Sequence, residues 1–271
     1  MSVKPNLLPP TPHHAQTYWD DVAAGYDYAF PETLIGRLQR EAVWEQLIHV
    51  FKRGQRILEI NCGTGIDATF LAGQGIRVVA CDLSPQMIAI ANQRTQRAGL
   101  AELVDFRVLT TESISTLAPM RPFDGLFSNF SGLNCVSDLR KAAHDLGTLV
   151  ERGAPAILCM IGRDALWENL WDLAHGRFAR AASTRRTRLA RGASVEVAVP
   201  SVQEIVQVFQ PEFRLKVRRG ISVAVPPSSL NSSVSRFPRA VRLLASVDRW
   251  IAGVPGFRNL GDCVLLQFER N

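Results

Sequence analysis

Nothing in this 271-residue sequence is apolar for long enough to cross a bilayer. The longest run, Ala154 to Ile161, falls far short of the roughly 18 to 20 residues that a spanning helix needs. The N-terminal stretch carries Pro5, Pro9, Pro10 and Pro12 where a secretory leader needs an apolar segment, so a cytoplasmic protein is expected. A disulfide framework is also missing. The five cysteines (Cys62, Cys81, Cys135, Cys159, Cys263) are odd in number, scattered, and contain no C-x-x-C pair. That pattern excludes a zinc ribbon, leaves no metal site in prospect, and suits reduced thiols filling small apolar spaces. Histidine is scarce, with five in all, so candidate general bases are few. There is no internal repeat, and a 46% hydrophobic content argues against disorder.

Positive charge is abundant but unevenly spread. The net charge is +6, and Arg177, Arg180, Arg185, Arg186, Arg188 and Arg191 fall in one stretch without an acid. A looser group follows at Arg236, Arg239, Arg242 and Arg249. Clusters of this kind favour an anionic partner: an anionic acceptor molecule, an acidic carrier, a membrane surface or RNA. A solvated basic face is the alternative.

Hydrophobic periodicity organises the chain. A proline-rich, poorly ordered start (1–16) is expected before a short aromatic helix, Tyr18 to Tyr28, and an amphipathic helix, Thr33 to Phe51. Strands and helices then alternate: strand Arg56 to Ile60, helix Ile66 to Gln74, strand Arg77 to Cys81, helix Gln86 to Arg97, strand Val104 to Leu109, strand Gly125 to Ser128, helix Asp138 to Glu151, strand Ala156 to Ile161. Such spacing implies βαβ units and right-handed crossovers. The expected fold is α/β, doubly wound, with a mainly parallel seven-stranded sheet. A helical, arginine-rich insertion (about 164–192) follows, then helix Val202 to Phe209, strand Phe213 to Arg219, a second insertion (about 226–258) and a last strand, Cys263 to Arg270. One domain is expected over 1–271. Within it, 1–40 would be an N-terminal cap segment, 41–162 the core, 163–200 and 226–258 a substrate cap, and 201–225 with 259–271 the terminal strands.

The segment RILEINCGTGIDATFL (Arg56 to Leu71) is the most informative. A strand ends at Glu59, a turn contains Gly63 and Gly65, and a helix begins after them, so backbone N–H groups and a positive helix end face a ligand. Gly63, Gly65 and Ala68 also fit the dinucleotide pattern G-x-G-x-x-A, which keeps a nicotinamide-dependent oxidoreductase open. Glu59 argues the other way: a carboxylate beside the turn suits an ammonium group and repels a pyrophosphate. Asp82, after the second strand, is placed to accept ribose hydroxyls in either class.

The succession LEINCGTG, ACDLSPQMI and FDGLFSNFSGLN resembles the motifs of class I S-adenosylmethionine-dependent methyltransferases. Upstream, WDDVAAGYD is similar to the segment that closes over the methionine end of the cofactor in small-molecule members. The resemblance covers residues 18–162. It implies that Glu59, Asn61, Gly63 and Gly65 form the loop under the methionine moiety, that Asp82 holds the ribose, and that Leu83 and Met87 line the adenine face. It also implies that Thr111, Glu112 and Ser113 approach the adenine edge, that Asn129 and Phe130 border the transferring methyl, and that Tyr26 reaches the amino-acid end. Asn61 replaces the usual first glycine, a tolerable change because Asn adopts positive φ readily. Thr111 replaces an acid.

Methyl transfer from a sulfonium needs alignment more than base strength. Candidate bases are His175, which falls on the apolar stripe Trp167, Leu170, Trp171, Ala174, Phe178 of the first insertion, and Tyr18. His13, His14 and His144 read as solvated. After the fourth strand, Ser128, Asn129, Phe130, Ser131 differ from the Asn/Asp-Pro-Pro-aromatic turn of amino-methylating enzymes, and no Pro-Cys dipeptide occurs. Both observations argue against a nucleic-acid acceptor and for a small molecule, O- or N-methylated. The apolar stripe would serve as a lid or as peripheral membrane contact. A non-catalytic cofactor-binding protein is a further alternative.

Overall fold

The computed structural model describes residues 12–174, 176, 187–189 and 196–271. His175, Phe178 and most of the first arginine cluster (Arg177, Arg180, Arg185, Arg186, Arg191) lie outside the described residues, as do the side chains of Trp171 and Arg188.

The chain opens with α1 (Pro12–Ala29) and α2 (Leu34–Val50). Expected disorder through residue 16 is thus corrected over 12–16, which lie within α1. Thr33 caps α2, its hydroxyl accepting the Gly36 N–H at 3.0 Å. The alternation then runs β1 (Arg56–Ile60), α3 (Ile66–Gly73), β2 (Arg77–Asp82), α4 (Pro85–Arg97), β3 (Val104–Val108), β4 (Gly125–Ser128), α5 (Leu139–Leu149) and β5 (Pro155–Ile161). After β5 come α6 (Leu166–Ala174), a two-stranded hairpin β6 (Thr187–Leu189) and β7 (Glu196–Ala198), α7 (Val202–Phe209), β8 (Phe213–Ile221), α8 (Pro238–Ile251) and β9 (Cys263–Arg270).

Seven strands form one sheet in the order β3-β2-β1-β4-β5-β9-β8. Neighbours from β3 to β5 are parallel, whereas β9 runs antiparallel to both β5 and β8. An antiparallel strand slotted in beside β5 departs from the all-parallel 3-2-1-4-5-6 order of a dinucleotide fold. Successive strand residues serve opposite faces. Leu58, Leu126, Leu158 and Phe268 pack with Leu146 and Leu149 of α5 and Phe209 of α7. Ile57, Val78, Phe127 and Leu265 pack with Val43 and Leu47 of α2 and Leu71 of α3. Both faces are therefore covered, as a parallel sheet requires, and each fully buried side chain of this size contributes roughly 1.5–3 kcal/mol.

Two segments stand above the carboxyl ends of the parallel strands. The first leaves β5 after Ile161, and the second lies between Ile221 and Cys263, which are paired across β8 and β9. The first is not wholly helical, as the sequence had suggested. It contains the β6–β7 hairpin, in which Val197 and Val199 are buried and Ala198 between them is exposed, a period of two that a helix cannot satisfy.

Candidate active site

Three turns leave the carboxyl ends of β1, β2 and β4 and surround a cleft. Open α/β sheets bind ligands at this position. Its wall includes Asn61, Cys62, Gly63 and Thr64 from the first turn, Asp82, Leu83 and Met87 from the second, and Asn129, Phe130 and Ser131 from the third.

The backbone of the first turn is bent into conformations that most residues avoid. Asn61 has φ 56°, Gly63 φ 53° and Gly65 φ 71°. The two glycines are required for different reasons. A Cβ on Gly65 would lie 2.6 Å from Ala91 Cβ and 2.9 Å from Phe106 Cζ, so this glycine lets α3 pack against α4 and β3. A Cβ on Gly63 would meet nothing nearer than Tyr26 Cε1 at 4.0 Å, so this glycine keeps the backbone open to the cleft. Phe130 (φ 43°) and Ser131 (φ 78°) bend the third turn in the same way. Three of the four described non-glycine residues with positive φ thus lie in the cleft wall, which locates the backbone strain at this site.

Asp82 holds the first two turns together. Its carboxylate accepts the Gly63 N–H at 2.9 Å and the Ser84 N–H at 3.0 Å. Burial pushes its pKa above the ordinary aspartate value, and the N–H groups of Ser84, Gly63 and Leu83 pull it back. Ser84 then caps α4 by accepting the Met87 N–H at 3.1 Å, bringing Leu83 and Met87 to the wall. The Asn61 side chain bridges turns: its amide donates to Thr111 Oγ1 at 3.1 Å and its carbonyl accepts from Ser128 Oγ at 3.4 Å.

Helix α1 closes one side. Asp20 accepts from Ser84 Oγ at 2.5 Å, and Asp27 accepts from Thr64 Oγ1 at 2.6 Å while pairing with Arg94. These tethers bring Trp19 and Tyr26 into the wall.

A second polar cluster has no counterpart in the sequence reading. Asp67, in the first turn of α3, accepts from Arg40, from Trp44 Nε1 at 2.7 Å and from Asn129 Nδ2 at 2.9 Å. Arg40 lies over the Phe130 ring at 4.9 Å, and Phe30 meets that ring edge-on at 5.3 Å. Burial opposes the Arg40 charge, but Asp67, Tyr26 and Glu59 together outweigh it and the guanidinium pKa is raised. The signal was available: Gly36, Arg40, Val43 and Leu47 share one buried stripe of α2, and a charge on such a stripe needs a buried partner.

Glu59 lies beneath the turn, 1% exposed, and among the described residues both its carboxylate oxygens lack a hydrogen-bond partner. Burial pushes its pKa well above the usual carboxylate range; Asp67 adds to the rise, Arg40 opposes it and Asp82 adds again. An unsatisfied buried carboxylate is costly, and a cationic donor is the ligand chemistry that relieves the cost. The donor set therefore fits a cofactor with an ammonium group and a hydroxylated sugar.

Several expected residues fall elsewhere. Tyr18, Thr111, Glu112 and Ser113 are not in the cleft wall. Tyr18 stacks edge-on with Trp19 at 5.2 Å. Thr111 reaches the site only through Asn61, Glu112 accepts from Ser137 Oγ at 3.4 Å, and Ser113 accepts from Thr110 Oγ1 at 3.3 Å. His144 is solvated, with its ring nitrogen 2.8 Å from Glu212. All five cysteines are free thiols. Burial raises Cys62 well above its ordinary value and Cys81 and Cys135 to about 12, so these thiols stay protonated and unreactive. Among the described residues no cluster of His, Cys, Asp and Glu is arranged to hold a metal ion.

Comparisons with known proteins agree with this geometry. Residues 57–153 match the methyltransferase domain family. A demethylmenaquinone methyltransferase from Paenarthrobacter aurescens is 26% identical over 165 residues, 59% of this chain and 60% of that protein. The match thus spans less than two thirds of the relative's length. Among solved structures, the cyclase SpnF shares the fold with a TM-score of 0.63 at 14% identity, covering 97% of this chain and 98% of that one. A geranyl diphosphate C-methyltransferase from Streptomyces coelicolor, solved with Mg2+, geranyl diphosphate and S-adenosyl-L-homocysteine, gives a TM-score of 0.58 at 14% identity over 97% and 100% of the two chains. Fold, glycine turn and family match together make residues 57–153 a methyltransferase domain on a Rossmann-like sheet. No helix among the described residues is long and apolar enough to cross a membrane.

Proposed function

We propose that the protein transfers a methyl group from S-adenosylmethionine to the oxygen or nitrogen of a small-molecule acceptor. The observation that carries this reading is Glu59, a buried, unpartnered carboxylate under a glycine turn whose backbone opens onto the cleft. Glu59 and the turn from Asn61 to Gly65 would hold the methionine end, Asp82 the ribose, and Leu83 and Met87 the adenine. When bound, S-adenosylmethionine supplies an electrophilic sulfonium methyl. The chain's own task is then to orient the acceptor and exclude water.

Trp19, Phe30 and Phe130 give the wall an apolar, aromatic character, and the charge of Arg40 is met by Asp67. An acceptor with an apolar body suits that wall. The demethylmenaquinone and geranyl diphosphate named for the two similar methyltransferases share this apolar character. Proton removal limits the choice further. The wall's thiols are held protonated, and Asp67 is occupied by Arg40, Trp44 and Asn129. A phenol, which ionises readily, or a neutral amine, which attacks through its lone pair and sheds a proton only after transfer, fits this wall better than an unactivated alcohol.

Calorimetry with S-adenosylhomocysteine and with NAD tests the cofactor, and transfer of a tritiated methyl to a panel of phenols and amines tests the activity. Binding of the sulfur compound with no NAD binding is expected. Tight NAD binding alone would restore the oxidoreductase reading, and cofactor binding with no transfer to any acceptor would favour a non-catalytic role.

A further inference from the structure

Helix α8, in the second insertion, is built the wrong way round for water. Its inward side is ordinary: Val241 is buried, and Leu244 and Ala245 pack with Ile35 and Val225. The one acid of the helix, Asp248, is also turned inward, where it accepts the N–H groups of Ala224 at 2.6 Å and Val225 at 3.2 Å. A surface helix normally presents charge at its outward pole. Here that pole carries Leu243 (68% exposed), Val247 (41%) and Trp250 (84%), spaced four and three residues apart on one stripe. Phe237 before the helix and Val254 and Phe257 after it extend the exposed apolar surface.

Beside this surface stand Arg236, Arg239 and Arg242, all exposed, and among the described residues none has a carboxylate partner. Arg249, on the flank nearer α2, is paired with Glu45 at 2.9 Å. From this arrangement we propose that α8 docks the protein on an anionic lipid bilayer, with Leu243, Val247 and Trp250 entering the headgroup boundary and the three arginines meeting lipid phosphates. Tryptophan suits that boundary because its ring is apolar and its N–H polar. Arginine suits it because its stem lies along apolar surface while its charge reaches anionic headgroups. A second copy of the chain is the poorer occupant, since a two-fold contact centred on this stripe would bring arginine flanks together.

The position of α8 gives the docking a purpose. The segment leaves the sheet after Ile221 and returns at Cys263, at the carboxyl ends of the parallel strands. The helix packs against α2, which contributes Arg40 to the cleft. Helix α8 and the cleft are thus joined through α2, so docking on a bilayer would hold the cleft near acceptors dissolved in the lipid.

The test uses the full-length protein and sucrose-loaded vesicles, either phosphatidylcholine alone or phosphatidylcholine with phosphatidylglycerol, and no cofactor, so its outcome is independent of methyl transfer. Sedimentation with the anionic vesicles is expected to exceed that with neutral ones by about tenfold and to fall with added salt. Paired Leu243→Glu and Trp250→Glu should lower vesicle binding by about tenfold or more, and Arg236→Gln, Arg239→Gln and Arg242→Gln together by several-fold. Both variants alter exposed side chains, and unchanged melting curves and S-adenosylhomocysteine affinity would show that they remain folded. Absence of binding to either vesicle, or binding that survives Leu243→Glu and Trp250→Glu, overturns the proposal. So does a concentration-dependent dimer in light scattering that these two substitutions abolish, an outcome that would assign the face to a second copy.

Discussion

Around the turn after β1, polar side chains are buried, with Glu59, Asp67 and Asp82 each under 7% exposed; on α8, Leu243 and Trp250 stand more than two-thirds exposed. Each region inverts the usual distribution, and each inversion has its own physical cause. In the first, turn geometry sets the terms: the Gly63 N–H of the positive-φ turn and the Ser84 N–H hold Asp82, and Asp67 at the start of the next helix gathers Arg40, Trp44 and Asn129. In the second the backbone is an ordinary helix, and only the side chains are unusual. A site built by backbone geometry tolerates few sequences, whereas a surface built by side chains tolerates many. That difference separates the part of this protein that resembles a family from the part that does not.

The two glycines of the turn test the first half most severely. Gly65→Val would force a branched side chain to within 3 Å of Ala91 and Phe106 at a left-handed φ, and a stability loss of about 3–5 kcal/mol is expected, read as a large drop in melting temperature. Gly63→Val meets open cleft instead. It should fold with a smaller loss yet bind S-adenosylhomocysteine at least about a hundredfold more weakly, because the side chain occupies the ligand's approach to the backbone. If Gly63→Val keeps full affinity, the cofactor site has been misplaced. If Gly65→Val is as stable as the wild type, the packing account of that glycine is wrong.

Asp82→Ala is next in size. Loss of charge-assisted hydrogen bonds to the ribose should weaken cofactor binding by about 1.5–3 kcal/mol in calorimetry. Because Asp82 also accepts from Gly63 and Ser84, the variant should melt earlier as well. Unchanged affinity in the folded variant would remove Asp82 from the site.

These residues were legible in the sequence because each sits at a strand end followed by a turn, where chain order fixes its place. Asn61 at φ 56° follows the expectation drawn from residue chemistry alone. The Asp67 cluster was not legible, since its members come from α2, α3 and the third turn, and nothing local says that Arg40 meets Asp67. The β6–β7 hairpin was hidden for another reason: its strands are three residues long, too short for a period of two to stand out in arginine-rich sequence. The outward stripe of α8 escaped because an amphipathic pattern gives the apolar positions without saying which of them the core will claim.

Glu59 offers a pH-dependent way to sharpen the comparison. A carboxyl held above its unfolded value binds a proton more tightly in the native state. The stability it contributes is complete below the unfolded pKa, near ~4.3, and is lost as pH rises toward the elevated native value. Glu59→Gln does not titrate, so in the absence of cofactor its melting temperature should gain on the wild type from about pH 4.5 upward. Its cofactor affinity should nevertheless fall by about 1–3 kcal/mol, through loss of a charged acceptor. A variant that gains no stability with rising pH would show that Glu59 is not a destabilised carboxylate.

The smallest effect belongs to the join between the two insertions. Trp167 Nε1 donates to the Ala224 carbonyl at 3.1 Å, tying α6 to the segment that leads into α8. Leu170 and Leu173 of α6 stay about half exposed, so neither anchors the helix strongly. Trp167→Phe keeps most of the ring volume and removes only the donor, at a cost of about 0.5–1.5 kcal/mol. Since Trp167 is absent from the cleft wall and its partner lies in the second insertion, S-adenosylhomocysteine affinity should stay within about twofold. The Michaelis constant for the acceptor should rise several-fold, because a loosened α6 orders acceptor contacts less well. Equal losses for cofactor and acceptor would mean that the insertions and the glycine turn form one cooperative unit, and the distinction between a backbone-built site and a side-chain-built cap would fail.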